Sequence, residues 1–288
     1  MCGRYTQKLK TDDLVAAMSA RDETGGAVRE NTNVAPTSTM PIVVAEAGRA
    51  LRMATWGLVP SWAKDRSIGA RMINARAETV ATRPAFRAAY ASRRCLVPAS
   101  GFYEWFRPGG AARRGQPFYV YPAGHPATGG IFAFAGLYEV WRKGDEPLVT
   151  FTILTTGPAD GLAFLHDRSP VILPVAAWDR WLDPAGDAAA LEPLLRPAPA
   201  GAVAAHPVGA DVGNVRNKGP HLTDPVELDP VVAEAVERIG APSVAALALG
   251  FEAVDRPLPA AVRRPGDAVD LSSFASADLA VPADRSGA

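Results

Sequence analysis

Between Arg94 and Thr156 five runs follow one another: RCLVPAS, GFYEWFR, PFYVYP, IFAFAGLYEVW and LVTFTILTT, parted by Gly- and Pro-rich turns. They are dense in β-branched and aromatic residues, which suit a pleated, half-buried surface. Connections this short favour antiparallel neighbours, because a parallel crossover needs a dozen residues or more. Earlier in the chain, PIVVAE and LRMATWGL read as two more strands paired across the turn AGRA. The expected fold class is therefore α+β, a mainly antiparallel, barrel-like sheet flanked by helices, and not a βαβ wind.

The remaining elements are short. TDDLVAAMSA (11–20) opens on a Thr–Asp N-cap signal and reads as a helix. RDETGGAVRENTNVAPTSTM reads as a polar loop, and SWAKDRSIGARMINARAETVATRPAF as a basic, irregular stretch with helical pieces near Ala77–Thr82 and Ala85–Ala91. PADGLAFLHD is expected to be a short helix or tight turn, SPVIL and VAAHPVG strands, and PVAAWDRWL, AALEPLL and DPVVAEAVERIG helices. One domain is expected over 2–238, followed by an Ala/Pro/Asp-rich mobile extension over 239–288.

At 288 residues the chain is long enough for a substantial core. It carries no apolar run fit to span a bilayer and no basic-then-apolar leader. Its 2 cysteines, Cys2 and Cys95, are too few for a disulfide framework or a metal site. The four histidines (125, 166, 206, 221) show no metal-ligand spacing. A cytoplasmic protein without metal or cofactor is expected. Net charge is zero but uneven: Ser61–Gly115 holds eleven Lys/Arg against three Asp/Glu, and His221–Ala288 five against eleven. On charge alone the expected reading is a solvated basic face plus an acidic tail, ahead of a polyanion-binding surface.

Three stretches set polar groups among apolar or small residues. RMINARAET carries Asn74 and Glu78, with Arg71 and Arg76 beside them; GFYEWF carries Glu104; LHDRSP carries His166. Strand alternation puts Phe102, Glu104 and Phe106 on one face. A carboxylate there is either an acid/base of raised pKa in a cavity or a Glu satisfied by an arginine. A lone His near a helix end is more often a cap than a catalyst, and Asn74 alone suits a turn. Trp56 and Trp62 suit core packing, and Cys95, in an apolar strand, a small buried hydrophobe. Cys2 is the unusual position, since chain ends usually tolerate change.

Taken in order, MCGRY, NVAPT (33–37), WGLVPSW (56–62), INARAET (73–79), RCLVPASGFYEW (94–105), HDRSPVIL (166–173) and HPV…VGNVRNKGP (206–220) form one pattern. Over roughly residues 2–235 the chain resembles the SOS response-associated peptidase (SRAP) family, proteins that crosslink to abasic sites in single-stranded DNA. The resemblance implies a catalytic group of Cys2, Asn74, Glu104 and His166. Ser169 departs from the family pattern, where many members carry Met, and puts pocket shape in question.

With Met1 removed, Cys2 presents an α-amine and a thiol to one aldehyde carbon. The amine has an ordinary pKa near 7.7–8.0 and condenses to an imine; the thiol then closes a five-membered thiazolidine. Intramolecular closure removes on the order of 7–11 kcal/mol of barrier at best. A mid-chain cysteine has only an amide nitrogen, so the position itself is the reagent. Under the resemblance, Glu104 shuttles protons, His166 assists sugar ring opening and Asn74 orients the amine or sugar. Met1 leaves autocatalytically or by an aminopeptidase, and general proteolysis is not expected. Arg4 and Arg76, then Arg71 and Lys64, are the expected phosphate contacts. Trp62 is the stacking platform, Gly3 allows close approach of DNA, and Asn33 and Pro36 shape the adjacent loop. The expected partner is single-stranded or junction DNA with an abasic site, bound by a monomer. Two rival readings stay open: an N-terminal-nucleophile cysteine amidohydrolase acting on a small amide, and a non-enzymatic single-strand-binding module.

Overall fold

The computed structural model describes residues 2–107, 115–123, 130–159, 161–199 and 201–238, so the expected extension lies outside the described residues. The first part contributes β1 (Tyr5–Gln7), α1 (Thr11–Met18), β2 (Arg21–Asp22), β3 (Asn31–Val34), β4 (Thr39–Ala45), β5 (Arg49–Trp56), β6 (Asn74–Arg76) and α2 (Arg87–Ser92). The five apolar runs become β7 (Arg94–Ala99), β8 (Gly101–Phe106), β9 (Gln116–Pro122), β10 (Phe132–Trp141) and β11 (Leu148–Thr156). They are followed by β12 (Ser169–Pro170), α3 (Trp178–Leu182), β13 (Val203–Pro207) and α4 (Pro230–Arg238).

β4, β5, β7, β10 and β11 close into a five-stranded barrel. β4 pairs antiparallel with β5 (Ile42 opposite Arg52) and β7 (Val43 opposite Leu96), and β7 with β10 (Ala135 opposite Leu96). β10 pairs antiparallel with β11 (Tyr138 opposite Phe151). The ring shuts where β11 meets β5 in parallel, Phe151 opposite Trp56. A barrel this narrow is filled by its own side chains. Tyr5 stands edge-on to Trp56 with ring centroids 5.2 Å apart, and Trp56 stacks on Phe151 at 6.4 Å. The Trp56 indole is satisfied by donating to Ile73 O at 2.8 Å.

A second sheet, ordered β13-β9-β8-β1-β3, packs beside the barrel. The chain passes from β7 to β8 at Gly101, where a Cβ would lie 2.5 Å from the Tyr119 ring, so only glycine allows that approach. On the other side of the barrel α1 buries Leu14 and Met18, and α3 buries Trp178, Trp181 and Leu182.

The structure departs from the sequence expectations at particular elements. The sheets are mainly antiparallel as expected, and the sequence pattern gave no sign of the parallel pairings of β11 with β5 and β6 and of β2 with β5. The polar loop of 21–40 contains β3, which pairs with β1 and buries Asn33 and Val34. SPVIL pairs as a strand only at Ser169–Pro170, with an isolated bridge at Ile172. AALEPL is a 3-10 helix, with Pro193 inside it removing a backbone donor. Helix α1 begins at Thr11 with Lys10 as its cap and no side-chain cap bond, so the Thr–Asp signal does not operate as read. Among the described residues no helix is long and apolar enough to cross a membrane.

Candidate active site

Residues from four separate stretches meet at one end of the barrel. Strand β11 organises two of them. β6 pairs with one edge of β11 (Asn74 opposite Ile153, Arg76 opposite Thr155), and β12 with the other (Pro170 opposite Thr155). Asn74–Arg76 and the His166–Arg168 turn are thereby brought to the same end of β11. The other two stretches come from the second sheet. β1 pairs with β8, Tyr5 opposite Phe102, and the Tyr103 N–H donates to Arg4 O at 3.0 Å. That register carries Cys2 close enough to Glu104 for the carboxylate to act on its thiol.

Cys2 is fully buried in the main hydrophobic cluster, with Tyr5, Phe102 and Phe106. Cys2 is thus docked in the core. Asn74 Nδ2 donates to Cys2 O at 2.8 Å, and Asn74 Oδ1 is buried with no hydrogen-bond partner among the described residues. Burial, reinforced by the negative charge of Glu104, pushes the Cys2 thiol far above its ordinary range. Cys95 is raised as well, by burial alone, and sits as a small hydrophobe in β7.

Glu104 is 6% exposed and lies between Phe102 and Phe106 on the core side of β8. Burial lifts its carboxyl from 4.5 to about 7, against the opposing pull of the chain's amino-terminal charge and of Arg107. Near neutral pH it is divided between acid and carboxylate, able to give or take a proton.

His166 is partly exposed, and its Nδ1 has two neighbours: Asp167 Oδ1 at 2.6 Å and the Arg168 backbone N–H at 3.0 Å. The first contact calls for a proton on Nδ1 and the second for its lone pair, so the two compete for one ring nitrogen. Burial and then the amino-terminal charge lower its pKa, outweighing Asp167. The Asp167 side chain is 85% exposed, so its charge is well solvated and its pull on the ring proton is weakened. When Nδ1 accepts from Arg168, the proton of the neutral ring sits on Nε2.

The predicted DNA contacts fall into two groups. Arg4 is half-buried: Nη1 donates to Asn33 Oδ1 and to Val212 O, both at 2.7 Å, and the guanidinium lies 5.7 Å from the Trp105 ring centroid. Asn33 is fully buried, and its Nδ2 donates to the carbonyls of Val212, Asn214 and Asn217 at 3.1–3.2 Å. It braces Arg4 and the 212–217 loop from inside and offers no surface to DNA. Gly3 and Pro36 are half-buried; Pro36 precedes Thr37, whose φ of 69° is held by its N–H bond to Trp56 O at 2.9 Å.

Trp62, Lys64 and Arg71 ride on the excursion between β5 and β6 and are exposed, Trp62 by 55%. Gly57, φ +125°, starts that excursion where a Cβ would lie 2.5 Å from Gly69 O. Trp62 is held from behind: Trp141 Nε1 donates to Ala63 O at 2.9 Å and Lys143 Nζ to Trp62 O at 2.8 Å. Arg76 is exposed at the end of β6. The basic count of 61–115 overstates the surface, because Arg94 is 2% exposed and Arg93 pairs with Glu139 at 2.7 Å.

Two features were not assigned from sequence. Arg168 forks onto Glu78, Nη1 to Oε1 at 2.7 Å and Nη2 to Oε2 at 2.9 Å, across ninety residues of chain. Lys218 Nζ donates to Asn31 Oδ1 at 2.9 Å, docking VGNVRNKGP on β3. Both lie within quoted motifs, but only the fold supplies the partners. Ser169, the departure from the family pattern, is buried, and its Oγ accepts the Ala159 N–H at 2.9 Å, steadying the segment that leads to His166. No group of three or more His, Cys, Asp or Glu able to hold a metal ion occurs among the described residues.

Comparison with known proteins places the chain in a family. The family model described as SOS response associated peptidase (SRAP) matches residues 1–215. The abasic site processing protein YoqW of Bacillus subtilis is 37% identical over 229 residues, covering 78% of this chain and 99% of YoqW. The abasic site processing protein HMCES of Gallus gallus is 32% identical over 268 residues, covering 79% of each chain. A crystal structure of a protein from Bacteroides thetaiotaomicron superposes with a TM-score of 0.70 at 25% identity, covering 78% of this chain and all of the other.

Proposed function

Because the chain belongs to the SOS response associated peptidase family, a family of abasic-site processing proteins, we propose that it captures the open-chain aldehyde of an abasic site covalently on Cys2. The carrying observation is the docked chain end: Cys2 buried, its carbonyl held by Asn74, beside a carboxyl lifted to about 7. In this reading one water first hydrolyses the Met1–Cys2 bond and frees the α-amine. The amine adds to the aldehyde carbon, and the carbinolamine loses its oxygen as water to leave an imine. The thiol then adds to the imine carbon and its proton passes to nitrogen, so that one C–N and one C–S bond replace C=O with net loss of one water.

The order follows from the electrostatics. A thiol pushed up by burial and by Glu104 is a poor first nucleophile, so the amine attacks first. Glu104, half protonated near neutrality, donates to the departing hydroxyl and accepts from the amine. Asn74 Oδ1, unpartnered among the described residues, is the acceptor left for the α-amine or a sugar hydroxyl. As the sugar opens, Nε2–H of His166 hydrogen-bonds the ring oxygen while the proton released by the anomeric hydroxyl is relayed to that oxygen, so the ring loses no net proton. The exposed Trp62, Lys64, Arg71 and Arg76 hold a single strand through stacking and phosphate contacts, with Arg4 braced behind Gly3. Residues 2–238 are taken as the catalytic unit. A thiolate-dependent amidohydrolase fits less well, since burial and Glu104, which oppose ionisation of the thiol, outweigh the amino-terminal charge and the Arg4 backbone bond that favour it.

The test is incubation with a single-stranded oligonucleotide carrying one abasic site, followed by a denaturing gel. A heat-stable adduct is expected, absent in Cys2→Ala and slower to form in Glu104→Gln. Turnover of small amides without an adduct would favour the hydrolase. Binding without an adduct, unchanged in Cys2→Ala, would favour a non-covalent module.

A further inference from the structure

Glu78 and Arg168 form a two-point fork that ties the end of β6 to the turn carrying His166. Arg168 is anchored again on β11, its Nη2 donating to Thr155 O at 2.5 Å. Its side chain is 16% exposed, so the guanidinium is largely enclosed by these partners. The main chain of the same residue donates to His166 Nδ1 at 3.0 Å. One residue therefore links a carboxylate on the Asn74 segment to the ring nitrogen that decides which tautomer His166 adopts. A planar guanidinium facing a carboxylate with two parallel bonds fixes orientation as well as distance.

We propose that Glu78 is a positioning residue: through its fork with Arg168 it holds the Arg168 amide against His166 Nδ1 and so keeps the proton on Nε2, facing the sugar. The proposal rests on the abasic-site reading above and goes beyond it in making ring opening depend on a carboxylate that touches neither Cys2 nor DNA. Releasing the fork lets the turn rotate and frees Nδ1 to take the proton, with Asp167 Oδ1 at 2.6 Å ready to accept it. Other charges acting on His166 are the amino terminus and Arg107, and Arg76 acts on Glu78; none of them duplicates the fork.

The test compares the parent full-length chain, Glu78→Gln and Glu78→Ala on two oligonucleotides. One carries a cyclic abasic site; the other carries an acyclic aldehyde at the same position and needs no ring opening. Non-covalent affinity is read on DNA with a tetrahydrofuran abasic mimic, which has no aldehyde. Both variants are expected to crosslink the abasic strand roughly ten- to a hundredfold more slowly at saturating DNA. They should react with the acyclic aldehyde like the parent, bind the mimic no more weakly, and melt like the parent. Equal rates on the abasic strand would overturn the proposal. So would an equal loss on both substrates, or a loss matched by weaker binding or lower melting temperature, since those describe a merely structural residue. Failure of the parent itself to crosslink would instead sink the abasic-site reading.

Discussion

Glu104 shows how much a single side chain can carry. Its carboxyl is lifted from 4.5 to about 7, so between those values the folded chain keeps a proton that the unfolded chain has lost. Its contribution is fully favourable below pH 4.5 and is lost as pH rises through 7. Converted at 1.36 kcal/mol per unit, the loss is about 3 kcal/mol. Glu104→Gln is therefore expected to gain stability relative to the parent by up to about 3 kcal/mol between pH 4.5 and pH 8, read by urea denaturation; a difference that does not change with pH would contradict the assignment. Asn74→Ala is expected to slow adduct formation about tenfold or more, because a mispositioned nucleophile loses much of its intramolecular advantage. A single-turnover gel assay checks it, and an unchanged rate would remove Asn74 from the site. Alternation along GFYEWF was enough to place Glu104 with Phe102 and Phe106. Asn33 was not legible in the same way, because its partners at 212–217 lie about 180 residues away and only folding brings them to it.

Among the elements, β7 and the helices behind it illustrate where sequence pattern stops. The apolar run RCLVPAS announced the strand, but its first residue reads as surface charge. Arg94 is instead buried, donating to Trp181 O, Tyr90 O and Ala91 O at 2.6–2.7 Å, and to Asp183 O. These are carbonyls at the ends of α2 and α3, groups a helix end leaves open. Arg94→Met should cost about 3 kcal/mol, since it strips partners from several enclosed carbonyls at once; a denaturation midpoint equal to the parent's would refute that role. The antiparallel ladder from β7 to β11 was readable because each connection is short. The parallel closure of β11 on β5 was not, because it joins strands separated by most of the barrel and leaves no local signal. Strand β3 escaped notice for a related reason: its residues NTNV are mostly polar, and Asn33 is buried only because the fold brings it carbonyls to bond.

At the scale of the whole molecule, the barrel holds the chain end while the 57–73 excursion reaches outward with Trp62, Lys64 and Arg71. Under the proposed function, that division would put covalent chemistry in a dry setting and strand binding on a wet, basic rim. Arg76→Ala is expected to weaken binding of single strands regardless of sequence and to lower the salt slope of log K by about one; an unchanged slope in a salt titration would remove the phosphate contact. The motif order made the family legible as a resemblance, while the fork between Glu78 and Arg168 required the fold. The most direct measurement is intact mass spectrometry of the protein after reaction with an abasic single strand. The account predicts a chain lacking Met1, joined to the oligonucleotide with the loss of one water, and no such species from protein in which Met1 is retained. An adduct of full mass still carrying Met1 would contradict it.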